Sequence, residues 1–455
     1  HRAGGWPWLA RMGIRSYRVA YTVRTRRALL FRGLACGSSS PWRDGRLVTM
    51  RTSVPSVASA LLIGCVSLVC GPAYADDVTI TLTGQSMIRS DLRATAPEVV
   101  PRIQLLLRGD VVFTNFEGAI AEPGQSVTGG GRGFLAPAEA LDALATLGFN
   151  LLALSNNHAF DLAEVGIDNT LREVERRGMA HAGVGATLEQ AASPAYLRVG
   201  DMTVALVASA SGLIAEGGAA RANSRGVAEL RIMAGDVVNE ARADLPGAPA
   251  NVPNREDAAR ILSAIREARA RADLVVVYQH NHVFSNKAFS TIFSEGMGER
   301  LAPNQWLVDW THAEVEAGAD VVVMHGAPLL HGIEVFRGKP IFYCLGNFIY
   351  NVPPAITYIS EPMSWESVVA SLEFEDKTLR SITLRPIALN YVGKGQPDVH
   401  SQYTSNEFLH TRGLPSAAEG AQARYILERV AEYSKPFGTR LVIGDGTAAI
   451  ELGTP

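Results

Sequence analysis

The chain has 455 residues, of which 47% are hydrophobic and 19% are charged. This composition excludes a disordered chain, a collagen-like repeat and a disulfide scaffold, and its length predicts one large domain or two to three ordinary ones. Residues 76–455 hold 31 Lys and Arg against 44 Asp and Glu, a net charge of about −13. Such a charge argues against nonspecific nucleic-acid binding, so we expect no nucleic-acid partner.

The N-terminal region has the layout of an export signal. Residues 1–49 hold ten Arg and one acidic residue, and we interpret them as a non-native or disordered extension ahead of a start at Met50; a genuine basic arm is the alternative. Residues 50–75 combine a basic start, an apolar stretch and the small-residue cleavage site Ala73-Tyr74-Ala75, which is typical of a signal peptide. We therefore expect a periplasmic or extracellular protein.

The positions of the four cysteines bear on export, through disulfide formation and lipid anchoring. Three of them precede residue 76, so the exported chain keeps Cys344 alone and has no partner for an intramolecular disulfide. Leu62-Ile63-Gly64-Cys65 fits a lipoprotein cleavage box, so a lipid anchor on Cys65 is the alternative to cleavage after Ala75.

From residue 78 onward, strands and helices alternate. In chain order the patterns predict strands at 78–84 and 111–117, a helix at 136–147, a strand at 150–155, a helix at 166–177, a strand at 202–209, a surface excursion at 215–254, a helix at 255–271, a strand at 273–278, a helix at 304–317, a strand at 319–324, hairpins at 333–348 and 368–389, a helix at 417–433 and a strand at 441–444. This alternation predicts an α/β protein with sheets between helix layers. We expect one large domain over 76–390 and a C-terminal appendage, 391–455, packed on it.

Polar side chains collect where predicted strands end: Asn115 and Glu117, Asn157 and His158, His280 and His282, and His325. Ligand sites of α/β sheets lie beyond the carboxyl ends of the strands. Imidazole, carboxylate and amide oxygen together suit a divalent ion such as Mn, Zn or Fe. Each residue alone is better explained as a hydrogen-bonded structural residue or a cap. Their recurrence at four strand ends favours one shared site.

Several motifs resemble those of the CapA family, whose members are associated with poly-gamma-glutamate capsule synthesis. They are Asn115-Phe116-Glu117, the run 154–161 (LSNNHAFD), Gly318-Ala319-Asp320 and the run 338–348 (GKPIFYCLGNF). The resemblance covers about residues 78–390. It implies a fold similar to calcineurin-like metallophosphatases, a four-layer αββα arrangement of two mixed sheets flanked by helices.

The resemblance also implies roles. Glu117 would bridge metals, and Asn157, His280 and His325 would be ligands of the second metal; His282 and His331 are weaker ligand candidates. His158 would be the general acid or transition-state stabiliser, and Asp161 would orient it or cap its helix.

The chain departs from the family pattern at two positions. Gln85 stands where the first strand normally delivers a metal-binding Asp, and Pro328 stands where a second His belongs. In the superfamily both missing ligands serve the same metal, so we expect a single divalent ion. Arg89 and Arg132, near the expected mouth, are candidates for binding an anionic substrate, with solvated surface arginines as the alternative.

Three functions fit these observations. The leading hypothesis is an exported enzyme that acts on an anionic cell-envelope polymer or peptide by metal-assisted hydrolysis or transfer at an amide or phosphoester, alongside membrane-bound capsule synthesis machinery. The second is a non-catalytic assembly or binding factor that retains a partial site. The third is a peptide Cα epimerase, with His158 or His280 as the base. Gln85 and Pro328 favour the second or third over a two-metal phosphatase.

Overall fold

Six stretches of the chain are described by the computed structural model: residues 77–127, 133–233, 251–283, 302–352, 362–395 and 407–452. The export signal, the Cys65 anchor site and Arg132 lie outside these ranges, so they stay predictions. Within them, no helix is both long enough and apolar enough to cross a lipid bilayer.

Among the described residues, the first sheet has nine strands and is parallel from its middle to one edge. Its parallel strands are Val78–Leu82, Val111–Asn115, Leu151–Ala153 and Ala180–Ala182, side by side in that order. Antiparallel strands continue the sheet beyond Val78–Leu82: Glu366–Glu375, then Thr378–Leu389, which pairs with both Pro415–Ala417 and Ala448–Ile450, and last Leu441–Ile443.

The second sheet has six strands in the described ranges. Its four inner strands run parallel, and an antiparallel strand closes each edge. From edge to edge the order is Ile333–Phe336, Lys339–Phe342, Val321–His325, Leu274–Asn281, Met202–Ser211 and Ala195–Val199. A continuous apolar run such as residues 274–278 is typical of a strand that is covered on both faces.

The two sheets pack face to face and helices cover their outer faces. Phe113 of the first sheet and Tyr278 of the second belong to one buried cluster between the sheets, which the helix Gly420–Ser434 also joins. The outer faces are covered by Glu139–Leu147 and Ala163–Arg176 on the first sheet and by Arg255–Arg271 and Gln305–Ala317 on the second. The four-layer arrangement of two mixed sheets flanked by helices is therefore confirmed.

The remaining elements are short. They are the helices Leu92–Thr95, Val100–Gln104, Leu188–Ala192 and Glu407–Thr411, the 3-10 turns Pro97–Val99, Pro362–Trp365 and Lys435–Phe437, and four strand pairs: Gln85–Met87 with Asn347–Tyr350, Ala119–Ile120 with Leu135–Ala136, Val184–Gly185 with Gly226–Val227, and Ile232–Met233 with Val252–Pro253.

Helix ends follow local signals. The helix predicted at 255–271 has those bounds because the Asn254 side chain accepts hydrogen bonds from the backbone N–H groups of Glu256 and Asp257. The helix Glu139–Leu147 ends at Gly148, whose φ of 113° is a left-handed conformation that favours glycine.

Two predictions need correction. The stretch 333–348 is not one hairpin, because Asn347–Tyr350 leaves it to pair in parallel with Gln85–Met87. The segment 215–254 is not wholly a surface excursion: Val227 and Leu230 are buried, and the Leu230 backbone N–H donates to the Ala210 carbonyl at 2.8 Å.

Candidate metal centre

The candidate site lies where the carboxyl ends of the parallel strands of both sheets meet. Glu117 follows the first-sheet strand Val111–Asn115, and Asn157 follows Leu151–Ala153. His280 belongs to the end of the second-sheet strand Leu274–Asn281, and His282 is the next residue after it. Each sheet therefore contributes two of the four polar side chains.

These four side chains converge within hydrogen-bonding distance of one another or slightly beyond. His280 Nε2 lies 2.8 Å from Asn157 Oδ1, 3.1 Å from His282 Nε2 and 3.7 Å from Glu117 Oε1. His282 Nε2 lies 3.1 Å from Asn157 Oδ1. Glu117, His280 and His282 each offer a ligand atom, and these three atoms lie within 4.8 Å of one another.

The donor set fits a divalent cation. Two ligand atoms held tetrahedrally at the usual Zn–N and Zn–O distances lie about 3.4 Å apart, close to the spacings observed. Glu117 is buried, and its Oε2 has no hydrogen-bond partner among the described residues. A buried carboxylate oxygen without a partner is costly unless a cation or proton compensates it.

Burial dominates the electrostatics of this group. It raises the pKa of the Glu117 carboxyl to about 7, against the opposing positive charge of His158. It lowers the pKa of His280 well below the usual value, and the neighbouring His282, His325 and His158 add to that effect. His280 is therefore a neutral imidazole at physiological pH, the form that a metal ligand requires.

His158 and Asp161 form a dyad beside this group. His158 Nδ1 lies 2.7 Å from Asp161 Oδ2, and its Nε2 lies 3.9 Å from Glu117 Oε1. The Phe134 backbone N–H also donates to Asp161 Oδ2, which fixes the carboxylate. Burial lowers the pKa of His158, but the charge and hydrogen bond of Asp161 outweigh this effect, so the net pKa is raised. With a side chain 24% exposed, His158 can exchange protons with a bound molecule.

The structure places His325 differently from His282. His325 Nε2 donates to the Thr83 carbonyl oxygen at 3.0 Å, and its ring packs against Tyr278 with the centroids 5.4 Å apart. Burial lowers its pKa to about 3. The expected ranking of His325 above His282 is thus reversed in the geometry, since His282 and not His325 completes the three-residue group. The Nδ1 atom of His325 has no hydrogen-bond partner among the described residues. The role of His325 as a ligand stays a prediction.

The two positions that depart from the family pattern belong to one local arrangement. Gln85 is buried, and its Oε1 accepts a hydrogen bond from the Gly326 backbone N–H at 3.2 Å. Gly326 lies two residues before Pro328, which is also buried. A neutral amide thus replaces the expected carboxylate, and its oxygen is already engaged.

The other candidates lie around the site. The Arg89 guanidinium is buried 3.7 Å over the Phe134 ring, and its Nε donates to the Asn351 carbonyl oxygen at 3.0 Å. It is therefore not a solvated surface arginine. His331 lines a small cavity of about 10 Å³ together with His325, outside the Glu117–His280–His282 group.

Tyr278 and Asn156 were not predicted as site residues, and Asn115 was predicted only as one of the polar side chains at strand ends. Tyr278 OH lies 3.1 Å from His280 Nδ1, and Asn115 Nδ2 lies 3.4 Å from the same atom. Asn156 in turn donates to Asn115 Oδ1 at 3.2 Å. The two-residue period of a strand could have revealed part of this set, because it places Tyr278, His280 and His282 on one face.

Two motif residues, Asp320 and Lys339, serve the fold rather than the site. Asp320 accepts from the Val275 backbone N–H at 2.8 Å and from Lys339 Nζ at 2.6 Å, and it pairs with Arg269 at 2.5 Å. These bonds join the starts of neighbouring second-sheet strands, opposite the end that carries the histidines.

The description "Bacterial capsule synthesis protein PGA_cap" belongs to the family model that matches residues 79–352. The chain belongs to this family. The resemblance to the CapA proteins, carried by motifs on both sides of the site, is confirmed.

Relatives support the assignment. The uncharacterized protein y4sH of Sinorhizobium fredii is 30% identical over 421 residues, which cover 77% of this chain and 87% of that protein. The "PGA biosynthesis protein CapA" of Bacillus subtilis is 28% identical over 215 residues, 47% of this chain and 46% of that protein. The "Capsule biosynthesis protein CapA" of Bacillus anthracis is 24% identical over 217 residues, 47% of this chain and 43% of that protein.

Two solved structures show a weaker likeness. A hypothetical protein from Thermus thermophilus gives a TM-score of 0.38 at 12% identity, covering 68% of this chain and 98% of that chain. The NAD nucleotidase of Haemophilus influenzae gives 0.33 at 9% identity, covering 80% of this chain and 61% of that chain. Neither likeness bears on function.

Proposed function

We propose that this family member is an exported enzyme of capsule synthesis that acts on an anionic cell-envelope polymer or peptide. Its reaction is hydrolysis or transfer at an amide or phosphoester bond, assisted by one divalent ion. Membership of the capsule synthesis family and the names of the Bacillus relatives support a role in capsule synthesis. Periplasmic or extracellular location rests on the signal-like residues 50–75.

The observation that carries this proposal is the adjacency of a ligand group and a proton-transfer dyad. Glu117, His280 and His282, with Asn157 beside them, would hold one Mn, Zn or Fe ion. Such an ion supplies polarisation of a carbonyl or phosphoryl oxygen. The buried carboxylate of Glu117, with an unpartnered oxygen, favours a cation within the ligand group.

His158 is the residue that moves a proton. Its Nδ1 is held by Asp161, so its Nε2 is left facing the side of the site where Glu117 lies, 3.9 Å away. Against the effect of burial, the charge and hydrogen bond of Asp161 raise the pKa of His158, which favours the protonated imidazole relative to a free histidine. A protonated Nε2 can donate to the leaving group as the bond breaks, and the neutral ring can take a proton back.

One cationic side chain supports an anionic substrate. Arg89 lies close enough to His158 to lower its pKa, on a chain of net negative charge. A guanidinium beside the dyad can pair with a carboxylate or phosphate group of the substrate. Membrane-bound capsule synthesis machinery is the partner that this substrate implies.

One observation favours a second candidate, a non-catalytic binding factor for the same polymer. Gln85 stands where the resemblance implies a metal-binding Asp, and its Oε1 is already hydrogen-bonded to Gly326, which supports a protein without two-metal chemistry. A protein that binds the polymer through the remaining charges would keep the same fold.

Activity on defined substrates tests the proposal. The purified chain, loaded separately with Mn, Zn or Fe, is incubated with poly-gamma-glutamate and with a generic phosphodiester, and chain length and released groups are followed. We expect metal-dependent turnover that is lost in Glu117→Gln and His158→Ala. Polymer that is bound but never altered, by wild type and variants alike, would contradict catalysis and favour the binding factor.

A further inference from the structure

The hydroxyl of Tyr278 lies behind the candidate metal centre. Tyr278 is fully buried, and its OH is 3.1 Å from Nδ1 of His280, the ring nitrogen on the far side from Asn157 and His282. The two residues are separated by one position on the strand Leu274–Asn281, so their side chains point to the same face.

Asn115, the second partner of His280 Nδ1, has a side-chain amide of fixed orientation. The Asn156 amide nitrogen donates to the carbonyls of Phe116 at 2.8 Å and Leu154 at 3.1 Å, and the Asn156 oxygen accepts from the His158 backbone N–H at 3.0 Å. The same amide nitrogen therefore faces the oxygen of Asn115, at 3.2 Å. The nitrogen of Asn115 is left pointing at His280 Nδ1, 3.4 Å away.

Of the two partners of His280 Nδ1, only Tyr278 can accept a hydrogen bond from it. A nitrogen that binds a metal presents its lone pair, so binding through Nε2 places the imidazole proton on Nδ1. Asn115 presents only N–H groups to Nδ1 and cannot accept that proton. A tyrosine hydroxyl can rotate to donate or to accept. Among the described residues, Nδ1 has these two partners alone.

We propose that Tyr278 is a positioning residue that sets the metal-binding tautomer of His280, by accepting a hydrogen bond from Nδ1–H while Nε2 faces the ligand group. The inference rests on the proposed metal site. Without the Tyr278 hydroxyl, the Asn115 amide holds His280 in the opposite tautomer, with the proton on Nε2.

Metal affinity of two matched variants tests this role. Tyr278→Phe and Tyr343→Phe each remove one buried hydroxyl; that of Tyr343 donates to Glu334 at 2.6 Å on the other face of the second sheet. Zinc affinity is measured by competition with a chromophoric chelator. We expect Tyr278→Phe to weaken zinc binding by roughly 10- to 100-fold, as loss of an outer partner of a metal-binding histidine does, and Tyr343→Phe to leave it unchanged.

A rescue variant separates tautomer control from packing. In Tyr278→Phe/Asn115→Asp, the carboxylate at residue 115 still accepts from Asn156 and offers a second oxygen to His280 Nδ1–H, so we expect zinc affinity to return toward the wild-type value. Imidazole ¹⁵N shifts of the zinc-loaded proteins should report Nδ1–H on His280. Equal affinity of wild type and Tyr278→Phe, or no recovery in the double variant, overturns the inference. A wild type that binds no zinc, manganese or iron overturns the proposed site itself, and the inference with it.

Discussion

Gln85 Oε1 accepts a hydrogen bond from the backbone N–H of Gly326, with 3.2 Å between the two atoms. This bond joins the two places where the chain departs from the family pattern, because Gly326 lies in the segment that ends at Pro328. A side chain on residue 326 would not fit, since a Cβ there would lie 2.0 Å from the Asn281 carbonyl oxygen and φ is 117°. The neutral amide and the glycine are therefore held together in one local arrangement.

The histidine that completes the ligand group can be identified by comparing two variants. We expect His282→Ala to weaken zinc binding at least tenfold more than His325→Ala, because even loss of an outer partner of a ligand costs roughly 10- to 100-fold. His325→Ala instead removes the hydrogen bond to Thr83 and the packing on Tyr278, so its main effect should be a lower melting temperature. The measurements are chelator competition and thermal unfolding. The opposite order of affinities would restore His325 as the ligand.

His158 is predicted to act in turnover and not in metal binding. His158→Ala should leave metal content and melting temperature nearly unchanged, while turnover falls by roughly 10²- to 10⁴-fold, the usual contribution of a general acid or base. His181→Ala is a suitable control, because its half-buried ring contacts the Met179 carbonyl oxygen and lies outside the ligand group. Loss of metal in His158→Ala would show that His158 is a ligand.

Glu314 gives a prediction for pH dependence away from the site. It is fully buried on the helix Gln305–Ala317, and burial raises the pKa of its carboxyl from 4.5 to about 8. Between these values the folded chain keeps a proton that the unfolded chain releases, so stability falls as pH rises, by at most about 4 kcal/mol in this interval. Glu314→Gln should therefore lose less stability than wild type between pH 5 and pH 8. If the free energy of unfolding, measured by denaturation, changes equally with pH in the two proteins across this range, the assignment is contradicted.

Export predicts a defined N-terminus. The signal-like run that ends at Ala73-Tyr74-Ala75 predicts that the secreted protein begins at or near Asp76. N-terminal sequencing of protein recovered from the periplasm or medium measures this directly. A lipid-modified Cys65 would show the anchored alternative to be right, and an intact residue 1 in the cytoplasm would contradict both.

The strand pattern of the sequence was enough to predict the layers and to name all four converging side chains as strand-end candidates, although the ligand assignment ranked His325 above His282. Apolar runs followed by Asn, Glu or His placed Glu117, Asn157 and His280 at strand ends, where the structure has them. The choice between His282 and His325 could not be predicted in this way. It depends on the distance between the sheets, which brings His325 against Thr83 and leaves His282 beside Asn157. The Tyr278 contact likewise depends on the side-chain rotamers of both partners.

Metal stoichiometry tests the central claim most directly. The protein, purified without chelators and equilibrated with Mn, Zn or Fe, is analysed for metal per protein by elemental analysis, with Glu117→Gln as the matched variant. We predict close to one ion per chain in wild type, because Gln85, whose amide oxygen is already hydrogen-bonded to Gly326, stands where the resemblance implies an Asp for the first metal. We expect a large loss of metal in the variant. Two ions per chain, or none with the four converging side chains intact, would contradict the account.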